Sequence, residues 1–324
     1  MKAYILTATG PAFADIPVPK PGPTDILVKV HAAALNRVDL AMMRGHVHGG
    51  AGGTGNALGV ECAGEVVEVG PEAAGFKPGD KVMCSSAGAF AEYTTADIGR
   101  VLPFPDPAMS FTDAAALPVA LQTMHDAIVT NGQFQPGQSV LIQGASSGVG
   151  LMGLAMAHEL GASLVIGSST DPERRARLTD HGAHLAIDSQ NPNWVKEVLD
   201  ATQGKGVDLI VDQVSGPNMN ANMQATRISG RIVNVGRLGG DKAEINFDLH
   251  ALRRISYVGV TFRTRSRAEV REINRRLKAD LWDILAAGKL RLPVDRTFAL
   301  DQIPDALAHM KVNRHFGKIV VQIP

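Results

Sequence analysis

The run Ser139-Val140-Leu141-Ile142, the small-residue turn GASSGVG at 144–150 and the apolar stretch from Leu151 to Ala157 leave this chain few folding options. A strand that enters a helix through a tight glycine turn needs a sheet to join and a helix layer to cover it. The alternation continues beyond the turn, with predicted strands at 163–167, 207–212 and 231–235 and predicted helices at 149–160, 172–181 and around 218–227. Strands that are apolar almost throughout belong to a parallel sheet covered on both faces. The fold class is therefore α/β, with a doubly wound parallel sheet in this part of the chain.

The N-terminal part reads differently. Up to about residue 115, short apolar runs such as Ile26–Val30, Gly64–Val69 and Asp80–Met83 are punctuated by Pro and Gly, which suggests a β-rich domain. Ser110 or Thr112 starts a helix that Pro118 interrupts. The segment 267–288 is a long amphipathic helix, and GKIVVQIP at 317–324 returns to β texture and completes the first domain. The expected division is 1–115 with 288–324 as the β-rich domain and 116–287 as the parallel-sheet domain. The glycine-crowded segment 45–59 is expected to be a lid or a loose surface excursion.

Lys plus Arg and Asp plus Glu both number 32, so there is no electrostatic reason to expect nucleic acid or an anionic membrane as partner. No apolar run approaches the ~18 residues of a membrane span. The N-terminus reads as a strand without a signal-peptide pattern, and Cys62 and Cys84 are too few for a disulfide scaffold. The expectation is a cytoplasmic protein with reduced, buried thiols.

Glycines let a backbone approach phosphate closely, and a helix N-terminus supplies unbonded N–H groups and partial positive charge. Ala145, Ser146, Ser147, Gly148, Val149 and Gly150 are thus the expected cradle for a dinucleotide pyrophosphate, with Ser147 able to donate to a phosphate oxygen. An NAD site ends its second strand in an acid that accepts the ribose hydroxyls. Here that strand ends in Ser168, Ser169 and Thr170, and Asp171 looks like a helix cap. Arg174 and Arg175 follow; one suits a 2′-phosphate, with Arg174 the candidate, and the other is a solvated helix residue. NADPH is the expected cofactor. Asn234 and Gly236 end a later strand at the carboxyl edge, where nucleotides bind, with Gly236 allowing close approach.

A turn of this kind also opens the short-chain dehydrogenases, which need a Tyr-x-x-x-Lys pair. The residues four beyond Tyr4, Tyr93 and Tyr257 are Ala8, Asp97 and Thr261, so the pair is absent. Over its whole length the chain instead resembles the medium-chain dehydrogenase/reductase superfamily, in its quinone-oxidoreductase-like branch. The resemblance is carried by AALNRVDLAMMRG, LGVECAGEVVEVG, FKPGDKV, FAEY, AAALP, the glycine turn, GVDLIVDQVSG, GRIVNVG and FGKIVVQ, in that order. It implies a GroES-like β domain joined to a Rossmann domain and, by edge-strand pairing of the latter, a homodimer.

Zinc-dependent members of that superfamily use Cys, His and Cys ligands; the corresponding positions here are Asn36, Val60 and Val119, so no metal is expected. Without a metal, hydride must go to an acceptor that is already electrophilic, a quinone or the C=C bond of an α,β-unsaturated carbonyl compound. The resemblance places Asn36, Asp39 and Thr123 around the nicotinamide and substrate, with the Asn36 amide and Thr123 hydroxyl as donors and Asp39 as a loop anchor. Where the family carries Gly-x-Tyr, this chain has Gly45-His46-Val47-His48, so His46 and His48 are candidate proton donors beside solvent itself. His125 and Glu61 are further possible wall residues, and Arg263 in VTFRTRS is a candidate for a substrate carboxylate or phosphate. The alternative is a catalytically idle NADPH-binding protein with a structural or regulatory role; zinc-dependent alcohol oxidation is a third reading, which the absent ligands disfavour.

Overall fold

A computed structural model describes residues 1–324. The chain forms two units, Met1–Val119 with Phe262–Pro324, and Ala120–Thr261.

In the first unit a seven-stranded sheet runs in the order Val294–Ala299, Lys318–Gln322, Asp25–Ala34, Glu61–Val69, Lys81–Ser85 and Val101–Pro103, with Tyr93–Asp97 also pairing with Asp25–Ala34. The pairings are antiparallel except for Val294–Ala299 beside Lys318–Gln322. A hairpin of Lys2–Thr7 and Gly10–Asp15 stands apart. Alternate strand residues such as Val28, Val30, Cys62, Cys84 and Val321 point into one apolar core, completed by Ile303, Leu307 and Met310 of the helix Ile303–Val312. The helix Arg37–Met42 follows directly from the long strand and buries Met42.

The glycine-crowded segment is more ordered than its composition suggests. Leu6 and Asn56, Gly55 and Leu6, and Leu58 and Tyr4 exchange backbone hydrogen bonds of 3.2, 2.7 and 2.9 Å, which lay 55–58 along the first strand. A Cβ at Gly59 would sit 2.7 Å from Phe90 atoms, so that glycine serves close packing. Residues 55–58 of the expected lid or loose excursion are thus pinned to the first strand, while 44–47 are exposed.

The second unit is a six-stranded, wholly parallel sheet in the order Leu185–Ile187, Leu164–Ser168, Ser139–Gln143, Val207–Asp212, Thr226–Asn234 and Ser256–Gly259. This order reverses direction at Ser139–Gln143, and ligands of doubly wound sheets bind at the carboxyl ends of strands flanking such a reversal. The strand core is Val140, Leu141, Ile142, Val165, Ile166, Leu209, Ile210 and Val211, all at most 1% exposed. Helices Gly148–Glu159 and Trp194–Ala201 form where expected or between expected strands. The expected helix 172–181 is Pro172–Ala176 followed by a tighter 3₁₀ turn, Leu178–His181.

The unit boundaries differ from those read in the sequence, 119/120 and 261/262 in place of 115/116 and 287/288. The long helix Arg267–Ala286 belongs to the first unit. Its Arg271 guanidinium donates to both Asp97 oxygens at 2.8 and 2.6 Å and to Thr24 at 2.9 Å. A Cβ at Gly99 would meet Arg271 Cγ at 2.1 Å, so helix and turn are in direct contact. Amphipathic periodicity identifies a helix with one apolar face but not the core that covers it.

Candidate active site

Three adjacent strands of the first unit bring distant residues to one end of the sheet. Val321 pairs with Ala33 and Val320 with Ala34, while Cys62 pairs with Ala33 on the other side. The registers carry Lys318, Glu61 and Asn36 together, although they lie in three separate parts of the chain. Lys318 Nζ donates to Glu61 Oε1 at 2.5 Å and to Asn36 Oδ1 at 3.0 Å. Asn36 Nδ2 donates to the same Glu61 oxygen at 2.7 Å and, at 3.4 Å, to the Ala34 carbonyl. Glu61 Oε2 accepts the Val119 N–H at 2.8 Å. All three polar residues are under 9% exposed. A buried ion pair is tolerable only with this degree of hydrogen bonding, since each ion loses its hydration.

Asp39 lies beside this cluster, fully buried, with Oδ2 accepting the Asn36 N–H at 2.6 Å and Oδ1 lacking a partner. Burial pushes its carboxyl up to about 7; the Asn36 N–H and the Lys318 charge oppose that rise, and the Glu61 charge adds to it. The anchoring role expected for Asp39 is visible in its bond to the loop backbone. The Asn36 amide, in contrast, is engaged on every side within the protein, so the expectation that it donates to substrate is not met in this arrangement. Lys318 escaped the sequence reading; its signal was a lysine at the head of the apolar run Ile319–Val321 in the strand KIVVQ.

His46 is exposed, and His48 is half-buried in a turn closed by reciprocal bonds with Ala51 at 2.9 and 3.0 Å. Burial, then the charges of Arg263 and Arg100, hold the His48 pKa below its usual value. Both influences favour the neutral imidazole of His48. Arg263 is exposed, on the segment following the second unit. No three His, Cys, Asp or Glu side chains converge in a way that would hold a metal ion.

In the second unit the glycine turn joins Ser139–Gln143 to the helix Gly148–Glu159. Gly144 has φ +72°, a conformation that favours glycine. Ser147 caps the helix by accepting the Gly150 N–H at 3.0 Å, and its hydroxyl faces the Gly144 carbonyl at 3.1 Å and Gln213 Oε1 at 3.2 Å. That hydroxyl holds the turn, which corrects its expected use as a phosphate donor. A Cβ at Gly150 would lie 2.6 Å from the Gly144 carbonyl oxygen, so only glycine lets the helix start this close to the strand. Ala145 is buried with its N–H on the Ser168 carbonyl at 2.8 Å. The N–H groups of Gly148 and Val149 in the first helical turn have no intrahelical acceptor. A helix of 12 residues thus presents its N-terminus at the sheet's reversal point, and this geometry fits a pyrophosphate.

Beneath the turn runs a polar chain that sequence reasoning missed. The Gly144 N–H donates to Ser168 Oγ at 3.0 Å, Ser168 Oγ to Gln143 Oε1 at 2.6 Å, and Gln143 Nε2 to Asn222 Oδ1 at 2.8 Å. Asn222 Nδ2 then donates to Asp212 Oδ2 at 3.0 Å, and Asp212 Oδ1 accepts the N–H groups of Val214 and Ser215 at 2.8 and 2.9 Å. Desolvation raises the Asp212 pKa against those donors. Each member of the chain is buried, so the chain fixes the ends of three neighbouring strands. Ser168 belongs to this scaffold, and its hydroxyl is not free for a cofactor.

Ser169 Oγ donates to Ser146 Oγ at 3.2 Å, and Thr170 is exposed. Asp171 caps the next helix by accepting the Arg174 N–H at 2.9 Å, as its sequence position suggested. Arg175 is fixed by the Ser169 carbonyl at 2.9 Å and by Asp188 at 3.2 Å. The Arg174 guanidinium lies 3.7 Å from Asp171 with a side chain 17% exposed. Asn234 Nδ2 donates to Ser215 Oγ and to the Gly236 carbonyl. A Cβ at Gly236 would lie 2.6 Å from the Gln213 carbonyl oxygen, so this glycine already serves packing between strand ends. Thr123, in the helix Pro118–His125, has a partly exposed side chain whose hydroxyl makes no hydrogen bond within the protein, whereas His125 is fully buried.

Residues 22–106 match the family described as alcohol dehydrogenase GroES-like domain, and residues 148–279 the one described as zinc-binding dehydrogenase. The chain is 28% identical over 294 residues to quinone oxidoreductase of Homo sapiens, covering 90% of this chain and 87% of that one. It is 30% identical over 308 residues to the highly reducing polyketide synthase claI of Penicillium crustosum, where it spans 92% of its own length and only 13% of the synthase. A crystal structure of quinone oxidoreductase from Pseudomonas syringae pv. Tomato DC3000 superposes with a TM-score of 0.85 at 26% identity, covering 99% of this chain and all of the other.

Proposed function

The chain belongs to the medium-chain dehydrogenase/reductase superfamily, in its quinone-oxidoreductase-like branch, and from that premise we propose that this oxidoreductase reduces a quinone or the C=C bond of an α,β-unsaturated carbonyl compound with NADPH and without a metal. The observation that carries the reading is the buried cluster of Lys318, Glu61 and Asn36. At the positions assigned to zinc ligands stand a carboxamide and two valines, Asn36, Val60 and Val119, and the neighbouring carboxylate is already balanced by an ammonium group. A donor set of that chemistry does not suit zinc. The acceptor must therefore carry its own electrophilicity.

Bound NADPH would supply the hydride. The first-turn N–H groups of Gly148 and Val149 would hold the pyrophosphate, while Ser147 and Ser168 keep the turn in shape for it. Arg174 would hold the 2′-phosphate, with Ser169 and Thr170 beside it, and Asn234 and Gly236 would border the nicotinamide. The unbonded Thr123 hydroxyl donates to the substrate carbonyl oxygen as charge develops there. Lys318 holds Asn36 and Glu61 rigid, and its charge is balanced by the Glu61 carboxylate. With the neutral form of His48 favoured, the proton that follows hydride comes from solvent, relayed by the exposed His46.

The strand Ser256–Gly259 is the edge of its sheet, and Tyr257 on it and Phe247 and Leu252 on the preceding helix are 44%, 75% and 70% exposed. An open edge flanked by apolar side chains is covered by a second copy of the same surface, giving a twofold homodimer. No helix is long and apolar enough to cross a membrane. We place the protein in the cytoplasm, where the buried thiols of Cys62 and Cys84, which face each other at 3.6 Å, stay reduced.

The test is NADPH oxidation with 1,4-naphthoquinone, an enone and an enoyl thioester, each repeated with NADH. Turnover of at least one acceptor with preference for NADPH is expected. Thermal stabilisation by NADPH without turnover of any acceptor would replace this reading with that of a cofactor-binding but idle protein.

A further inference from the structure

The polar chain beneath the glycine turn has a direction, and one residue sets it. Both ends of the chain are backbone N–H groups, which only donate. At one end the Gly144 N–H donates to Ser168 Oγ at 3.0 Å; at the other the N–H groups of Val214 and Ser215 donate to Asp212 Oδ1 at 2.8 and 2.9 Å. Ser168, Gln143, Asn222 and Asp212 are each at most 1% exposed, so their polar groups depend on one another for partners.

A carboxylate offers acceptors alone, whereas an amide offers a donor on one side and an acceptor on the other. Asp212 Oδ2 therefore takes the Asn222 Nδ2 group at 3.0 Å, which turns Asn222 Oδ1 toward Gln143. Gln143 meets it with Nε2 at 2.8 Å and so presents Oε1 to Ser168. The Ser168 hydroxyl gives its hydrogen to that oxygen at 2.6 Å and keeps a lone pair for the Gly144 N–H. An amide at position 212 would present a donor to Asn222. The chain would then reverse and leave the Ser168 hydrogen without an acceptor directly beneath the turn.

Asp212 also acts on a second strand end. Ser215 has φ +57°, a conformation that L residues rarely adopt and that persists only where its surroundings enforce it. Asp212 Oδ1 accepts its N–H, and Ser215 Oγ donates to the Gly236 carbonyl at 2.7 Å and accepts from Asn234 Nδ2. One carboxylate thus links the glycine turn to the strand end carrying Asn234 and Gly236.

We infer that Asp212 is a positioning residue of the dinucleotide site: its carboxylate fixes the direction of the buried chain and, through Ser168, the shape of the turn that begins at Gly144. The inference rests on the reading of that turn as a nicotinamide-dinucleotide site and adds a residue that acts on it through other side chains.

The experiment exchanges the two end groups of the chain. Asp212→Asn ends it in a donor, and Asn222→Asp sets two carboxylates against each other. Each single variant is expected to raise the Kd of NADPH about tenfold, measured by calorimetry without an acceptor. The double variant, Asp212→Asn with Asn222→Asp, has the parent's composition. Its amide at 212 accepts from Val214 and Ser215 and donates to the carboxylate at 222, which accepts from Gln143 as before. With the direction restored, its Kd is expected within about threefold of the parent's. Amide exchange at Gly144, followed by NMR in the cofactor-free protein, should be about tenfold faster in each single variant and return to the parent's rate in the double. Val198→Ala, which removes buried methyl groups from the helix Trp194–Ala201, should lower the melting temperature and leave the Kd unchanged. Should a single variant fail to fold, the double variant decides, since it is expected to fold and to bind NADPH near the parent's level. A parent-like Kd in Asp212→Asn, a double variant no better than the singles, or a Kd raised equally in Val198→Ala overturns the inference. A parent that does not bind NADPH removes the cofactor reading, while exchange at Gly144 still tests the role of Asp212.

Discussion

Lys318 Nζ lies 2.5 Å from Glu61 Oε1 across 257 residues of chain, with 4% and 0% of the two side chains exposed. Removing one partner of a buried pair strands the other charge, at a cost of about 3–5 kcal/mol. Lys318→Met and Glu61→Gln should each lose stability on that scale in urea unfolding. The double variant should lose clearly less than the two single losses together, since it strands no charge. A strictly additive double variant would mean that the pair is not coupled.

Asp39 gives a pH signature of opposite sense to an ordinary surface carboxylate. Its folded pKa is raised to about 7 by burial, against about 3.9 in the unfolded chain. The folded state therefore keeps a proton that the unfolded state releases, so the stability from this group is full below about pH 4 and is lost as pH rises through 7. Asp39→Asn still accepts the Asn36 N–H and has no charge to bury. Melting temperatures of variant and parent from pH 4 to 8 should diverge in favour of the variant as pH rises; a constant difference across that range contradicts the assignment.

Arg174 and Arg175 are neighbours with different commitments. Arg175 is held by the Ser169 carbonyl at 2.9 Å and by Asp188 at 3.2 Å, whereas the Arg174 guanidinium lies 3.7 Å from Asp171. Arg174→Ala should lower the kcat/KM preference for NADPH over NADH about tenfold, the loss expected for one charge-assisted contact to phosphate. Arg175→Ala should act mainly on stability. Equal cofactor preference in Arg174→Ala and the parent would assign the 2′-phosphate to other groups.

The exposed edge predicts an assembly. Phe247→Glu combined with Leu252→Glu places two charges where a second copy would pack, and sedimentation should then show a monomer in place of a dimer. Since neither side chain is buried within the chain, folding should be retained, which circular dichroism can verify. A monomeric parent would dispose of the dimer directly.

Much of the second unit was legible because its information is local. The strands Ser139–Gln143 and Val207–Asp212 lie at their predicted residues, and Asp171 caps the helix its position implied. Local patterns encode such elements through apolar runs and cap chemistry. Partnerships formed across hundreds of residues have no such trace. Asn36 was rightly singled out, yet its donors and acceptors were unreadable because Lys318 and Glu61 come to it through strand register. Ser147 and Ser168 likewise drew attention as phosphate contacts, whereas their hydroxyls satisfy backbone and amide groups of the turn itself. The long helix 267–286 was recognised by its periodicity and assigned to the wrong core, because an apolar face carries no address.

The strand Lys318–Gln322 inserts between Val294–Ala299 and Asp25–Ala34. During synthesis at about 5–20 residues per second, Glu61 therefore waits roughly 10–50 s before Lys318 has even been made. Throughout that interval the nascent sheet has an open slot beside Asp25–Ala34 and an acid at its end without its cation. The second unit, continuous from Ala120 to Thr261, can fold within this interval, whereas the first unit must be finished after it. Vectorial synthesis thus orders the two units, with the continuous one complete before the strand Lys318–Gln322 exists.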